Sequence, residues 1–130
     1  MIFAAALASA AVALAGPAPA PATLQGDLDA AVAYWQQAVP ARCSTGSVAS
    51  TRLPGRLLGE ATIPDPIQIG PCEMKISRGM TRRMRCLVVV HEYGHWLGLN
   101  HSTDRHNVMF AVIDPIMRVP ECETTIPNPS

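Results

Sequence analysis

Three histidines and one glutamate lie close together in the sequence, in an order that suits a catalytic metal site. The stretch runs from His91 to His101. On an α-helix, residues four apart lie about 6 Å apart along the axis and nearly on one face, so the rings of His91 and His95 would point to a common position. Two such rings suit a tetrahedral zinc ion. Glu92 would lie beside that face, where a general base is needed.

The third histidine needs a turn of the chain to reach the same metal. His101 is six residues beyond His95, which corresponds to about 9 Å along a continuous helix. Gly98 lies between them, and glycine adopts the left-handed conformation that ends helices without a Cβ penalty. We therefore predict His91, His95 and His101 as metal ligands and Glu92 as the catalytic base.

The pattern H-E-x-x-H-x-x-G-x-x-H with a methionine beyond it resembles that of the metzincin metallopeptidases. Ser102, directly after the third histidine, and Met109 make the chain look most like the matrixin family. The resemblance covers residues 91–110. It implies one catalytic Zn²⁺ held by the three histidines, and a tight turn that places Met109 beneath the zinc without binding it.

Some positions depart from the matrixin pattern. Phe110 stands where some metzincins have an assisting tyrosine, and Ala111 replaces the usual proline. No histidine precedes His91, so we expect no accessory zinc of the matrixin kind. His106 matches no ligand position, and we predict that it lies in a surface loop.

The start of the chain is typical of a secretory signal. Residues 1–22 carry no charged side chain, and half of them are alanine. An uncleaved membrane anchor is the alternative, but the apolar run ends near Gly16, short of the ~20 residues that a spanning helix needs. We therefore predict a signal peptide at 1–22, a metallopeptidase catalytic domain at 23–130, secretion to the extracellular space and no stable membrane span.

Two positions fit the small-x-small pattern of a leader-peptidase site. They are Ala13-Leu14-Ala15 and Ala20-Pro21-Ala22. The second is slightly preferable, because the mature chain would then begin at Thr23 rather than at a glycine-proline pair.

The chain contains four cysteines, and an even set in a small secreted domain suggests disulfides. Of the three possible pairings we favour Cys43–Cys72 with Cys86–Cys122, which would tie the metal-binding helix to the C-terminal tail. Zinc ligation by a cysteine, as in latent matrixins, is disfavoured because the residues around Cys43 do not match the latency motif of that family.

Apolar residues at helical spacing predict two helices. The first would end before Pro40 and pack on a sheet. The second has Thr81 as a plausible N-cap and is apolar nearly all round, which indicates a buried helix. The stripe of the first helix consists of Leu24, Leu28, Ala31, Trp35 and Ala38.

The segment between the helices predicts short strands. Residues 44–55 suggest a strand or loop, and 56–63 a strand weakened by Gly59. Residues 67–69 and 72–77 alternate as half-buried strands do. By position, 72–77 resembles the edge strand on which metzincins hold extended substrate.

Basic residues cluster around the start of the second helix, and nothing after Pro115 looks capable of forming a helix. We predict a solvated face for this basic cluster, with a preference for acidic substrates as the alternative. Its members are Lys75, Arg78, Arg82, Arg83 and Arg85.

These features together predict an α+β protein with a minimal metzincin-like zincin fold: a small mixed sheet, one packing helix and a buried active-site helix. The predicted function is that of a secreted zinc-dependent endopeptidase acting on protein or peptide in extended conformation. A formal net charge of zero argues against nucleic acid as a partner. The alternatives are a catalytically silent zinc-binding relative and a disulfide-stapled binding module in which the motif is fortuitous.

Overall fold

The computed structural model describes residues 20–65 and 67–123. In chain order the elements are α1 (Leu24–Trp35), β1 (Cys43–Thr51), β2 (Gly59–Thr62), β3 (Gly70–Ser77), α2 (Arg82–Trp96) and a 3-10 helix (Pro120–Cys122). The sheet is mixed, because its central strand β3 runs parallel to β1 and antiparallel to β2. The predicted α+β class with a small mixed sheet is confirmed.

Helix α1 begins as its stripe predicts and ends before Pro40, as predicted, although Ala38 of the stripe lies beyond its last residue. The Thr23 hydroxyl caps its first turn by accepting a hydrogen bond from the Gly26 amide at 3.0 Å. Gln36 adopts the left-handed conformation with φ of 51° and ends the helix. Contrary to prediction, α1 packs mainly against α2 and less extensively against the sheet.

Helix α2 forms the centre of the molecule and begins at the predicted N-cap. The Thr81 hydroxyl accepts a hydrogen bond from the Met84 amide at 3.2 Å. Every residue from Cys86 to Gly94 is buried, because the helix contacts β2, β3, α1 and the 3-10 helix. Burial on all sides explains why its sequence is apolar nearly all round.

Strand β3 alternates as predicted, with Cys72, Met74 and Ile76 buried. Because both edges of β3 are paired, the prediction that 72–77 is a substrate-binding edge strand is wrong. The edge strand next to α2 is β2. Residues 67–69 form no strand either, since Gln68 and Ile67 donate to the carbonyl and carboxylate of Asp65 in a turn.

Two disulfides confirm the predicted pairing. Cys43–Cys72 joins the parallel strands β1 and β3, and Cys86–Cys122 joins α2 to the 3-10 helix. The sequence separations are 29 and 36 residues. In the chain-entropy model, loops of this size correspond to a stabilisation of about 3 to 4 kcal/mol each.

Part of the basic cluster is internal rather than solvated. Arg83 donates to the Met117 carbonyl at 2.7 Å and pairs with Glu123 at 3.3 Å, so it anchors the segment before the 3-10 helix to α2. Arg85 is also paired, with the buried Asp27. Only three members of the cluster have the exposure predicted for all five: Lys75, Arg78 and Arg82.

Arg85 joins α2 to the start of the described chain. Its guanidinium pairs with Asp27, whose side chain is wholly buried, and donates to the Pro21 carbonyl at 2.9 Å. Burial raises the pKa of Asp27, and the Arg85 charge opposes this shift. Ala20 is only 3% exposed. Ala20 and Pro21 thus pack as part of the folded domain.

The packing of Ala20 and Pro21 affects where the predicted signal peptide can end. Residues 1–19 of that predicted segment lie outside the described residues. We expect leader cleavage after Ala15 and not after Ala22, because the later cut would remove the carbonyl that Arg85 contacts. N-terminal sequencing of the protein exported from a host cell measures this. Ala15→Leu should block processing and Ala22→Leu should leave it unchanged, whereas a mature chain starting at Thr23 would contradict the expectation.

No helix within 20–65 or 67–123 is long and apolar enough to span a bilayer.

Candidate metal centre and active site

Three imidazole rings converge at the C-terminal end of α2. His91 and His95 lie one turn apart on the helix, and His101 returns from the loop beyond it. The Nε2 atom of His95 lies 3.2 Å from the Nε2 atoms of both His91 and His101, and one ligand atom of each ring lies within 4.8 Å of the others. Two nitrogens bound tetrahedrally to zinc at 2.0–2.1 Å are about 3.3 Å apart. The three rings therefore have the spacing of zinc ligands.

The turn that returns His101 is built on Gly98. Its φ of 91° lies in the left-handed region, which glycine tolerates and a side chain disfavours. The Gly98 amide donates to the His95 carbonyl, and the Leu99 amide to the Gly94 carbonyl, both at 3.0 Å. Arg42 closes the helix end by donating to the Trp96 carbonyl at 2.7 Å. The predicted role of Gly98 as the helix terminator is confirmed.

Backbone carbonyls determine which ring nitrogens of two histidines carry a proton. The Nδ1 atom of His91 lies 2.7 Å from the Val108 carbonyl, and that of His95 lies 2.9 Å from the Leu99 carbonyl. A carbonyl only accepts, so Nδ1 is the donor and Nε2 keeps its lone pair. Burial also lowers the pKa of His91. Facing lone pairs repel one another unless a cation lies between them, so this donor set fits a metal ion.

Glu92 lies beside the three rings and is 7% exposed. Burial, with a smaller contribution from the charge of Glu60, raises the pKa of Glu92 to about 7, and the Ala61 backbone amide opposes this shift. A carboxyl group that titrates near neutrality suits proton transfer at physiological pH. A divalent cation bound nearby would favour the ionised form and lower this pKa.

Strand β2 approaches Glu92 closely because residue 59 is a glycine. A Cβ atom there would lie 2.6 Å from Val88 Cγ1 and 2.9 Å from Glu92 Oε1. Contacts this short would force the strand and the helix apart. Gly59 therefore allows the edge strand to form a wall next to the Glu92 carboxylate.

Met109 packs against the backbone of α2 at Gly94, which lies between His91 and His95 in the chain. Its side chain is 3% exposed, and a Cβ atom at Gly94 would overlap its sulphur. The loop that carries it closes where the Ser102 amide donates to the Met109 carbonyl at 2.8 Å. Met109 is thus buried in a turn that packs against the helix carrying His91 and His95.

A cleft of about 790 Å³ opens over the three rings. One wall is the segment of β2 and the residues before it, and the other is formed by 111–113. Apart from the histidines, Arg56 and Glu92 are the charged residues among those described as lining it. Four lining side chains are large, apolar and exposed: Leu57, Ile63, Leu99 and Val112.

The structure brings all four predicted site residues to this cleft and leaves His106 on the surface, with its side chain 72% exposed.

The sequence interpretation missed the carbonyls of Val108 and Leu99, for which side-chain identity contains no signal. It also missed the contacts of Gly59 and Gly94. A glycine inside a strand and another inside a helix were the available signals, and they indicate close approach of a neighbour.

Comparison with known proteins yields one family. The model of the Matrixin family matches residues 54–125, which is more than half of the chain and includes β2, β3, α2 and all three converging histidines. No curated protein and no solved structure gives a significant match.

Proposed function

The chain belongs to the matrixin family, and from this premise we propose that it is a secreted zinc-dependent endopeptidase. One observation carries the proposal. Three Nε2 atoms meet at metal-ligand spacing, with the Nδ1 atoms of two of the rings held by carbonyls. His91, His95 and His101 would hold a single Zn²⁺, and Glu92 is the only acidic residue that lines the described cleft beside them.

The chemistry divides between the metal and Glu92. When bound, zinc supplies Lewis acidity, which polarises a carbonyl and makes water more acidic. Glu92 accepts a proton from the attacking water and passes it to the departing amine. The small exposure of its carboxyl group limits competing solvent, so the proton stays near the reacting atoms.

The substrate would be a protein or peptide in extended conformation. Strand β2 is paired on one side, with β3, so its other edge offers backbone donors and acceptors to a peptide. The apolar side chains along the cleft favour apolar residues near the scissile bond. Export is supported by two disulfides, which persist in oxidising compartments.

Metal removal tests this proposal directly. The purified protein should contain about one zinc per chain and cleave an unfolded protein, because three histidines and an open position are the arrangement of a catalytic zinc site. Treatment with 1,10-phenanthroline should abolish cleavage, and added zinc should restore it.

The non-chelating isomer 1,7-phenanthroline is the control and should leave cleavage unchanged. Absence of stoichiometric zinc after purification in neutral, chelator-free buffer would contradict the metal site. Bound zinc without any cleavage, read by mass spectrometry over a peptide library, would instead identify a catalytically silent relative.

A further inference from the structure

A tight turn at residues 107–110 contacts His91 through a backbone carbonyl, and the side chain of Asn107 holds this turn. The backbone carbonyl of Asn107 accepts a hydrogen bond from the Phe110 amide at 2.9 Å. Its side-chain Oδ1 accepts from the Met109 amide at 2.8 Å. Asparagine makes such turns readily because its side chain imitates a backbone acceptor. Asn107 therefore restrains two successive amides of the turn.

The residue inside this turn provides the carbonyl that orients His91. Val108 follows Asn107, is 1% exposed, and its carbonyl lies 2.7 Å from His91 Nδ1. The nitrogen of that same peptide group belongs to Met109. The hydrogen bond from the Met109 amide to Asn107 Oδ1 and the hydrogen bond between the Val108 carbonyl and His91 Nδ1 therefore both hold this one rigid peptide plane. If this peptide plane rotates, the Val108 carbonyl no longer accepts a hydrogen bond from the His91 imidazole.

Asn107 acts through hydrogen bonds rather than through packing. The residue is exposed, so truncating its side chain opens no cavity in the core. The turn directly before it is comparable. In that turn Asp104 Oδ1 accepts from the His106 amide at 2.9 Å, and the Asp104 carbonyl accepts from the Asn107 amide at 3.0 Å. Asp104 is exposed as well, and its carboxylate lies 3.4 Å from the ring of His106. The backbone carbonyls that contact ring nitrogens of His91 and His95 are instead those of Val108 and Leu99. The loop thus offers a matched control.

We propose that Asn107 is a positioning residue of the metal centre, which holds the Val108 peptide so that its carbonyl fixes the tautomer and direction of the His91 ring. The inference rests on the proposed function, because it takes His91 as a zinc ligand. Partners of this kind behind a ligating histidine change metal affinity by roughly 10- to 100-fold.

Zinc affinity, measured by competition with a chromophoric chelator, tests the inference. Asn107→Ala should weaken zinc binding by about 10-fold or more. Asp104→Ala should change it by less than about threefold, because its side chain does not hold either of the carbonyls that contact His91 and His95. Asn107→Asp keeps the acceptor oxygen and should bind zinc no more than about threefold more weakly than the parent protein. The Nδ1 proton of His91, followed by NMR, should lose its hydrogen-bonded signal in Asn107→Ala alone.

Several results would overturn the inference. One is a zinc affinity of Asn107→Ala within twofold of the parent, and another is an equal loss in Asp104→Ala. If Asn107→Ala does not fold, Asn107→Ser replaces it, and an unchanged His91 signal with unchanged affinity in that variant would count against the inference. Absence of zinc binding by the parent protein would contradict the proposed function instead, so the two failures are distinguishable.

Discussion

Replacing Glu92 by alanine is expected to slow peptide hydrolysis by about 10²- to 10⁴-fold, the usual contribution of a general acid–base group. The side chain is buried beside the three rings without joining them, so zinc should remain bound at about one ion per chain. Steady-state hydrolysis of a fluorogenic peptide, with zinc measured on the same sample, checks both parts.

A neighbouring carboxylate provides the control for Glu92. Glu60 is exposed on β2, and its charge helps to raise the pKa of Glu92, yet it does not line the cleft. Glu60→Ala should therefore retain hydrolysis within severalfold of the parent rate. Full activity in Glu92→Ala, or equal losses in the two variants, would exclude Glu92 as the base.

Substitution of Gly94 by alanine is expected to destabilise the fold by about 1 to 3 kcal/mol, the usual cost of overpacking a core. In an ordinary helix interior the same change stabilises by roughly 1 kcal/mol. The sign reverses here because the new methyl group would overlap the Met109 sulphur and lie 3.2 Å from Trp35 Cζ2. Urea unfolding of the zinc-free variant and parent measures the difference in free energy of unfolding.

A double-mutant cycle identifies the clash as the cause. In a Met109→Ala background the sulphur is absent, so Gly94→Ala should cost less there than in the parent protein. An equal cost in both backgrounds would show that Met109 is not the obstacle. A stabilising effect of Gly94→Ala in the parent would contradict the packing of Met109 on α2.

Features that depend on a local side-chain pattern were predictable from the sequence. The start of α1, the N-cap of α2 and the alternation of β3 each depend on residues a few positions apart. The predicted strand at 67–69 was wrong. Ile67 and Ile69 alternate with a polar residue as in a half-buried strand, but their side chains are 90% and 76% exposed. Asp65 instead organises that segment into a turn.

Two other predictions were wrong because they concerned which distant segment packs against an element. Strand 72–77 is central because β2, which precedes it in the chain, pairs along its outer side. Arg83 and Arg85 are partly internal because Glu123 and Asp27, both distant in sequence, lie opposite them. Charge and periodicity describe one segment at a time and cannot identify its partner.

By itself the sequence determined which four side chains would meet, because His91, Glu92 and His95 share one helix and Gly98 allows His101 to turn back. Only the tertiary structure decided how they are held. The Val108 carbonyl behind His91, the β2 wall beside Glu92 and the methionine under Gly94 all come from other segments. Contacts of this kind depend on how distant parts of the chain pack, which no local spacing encodes.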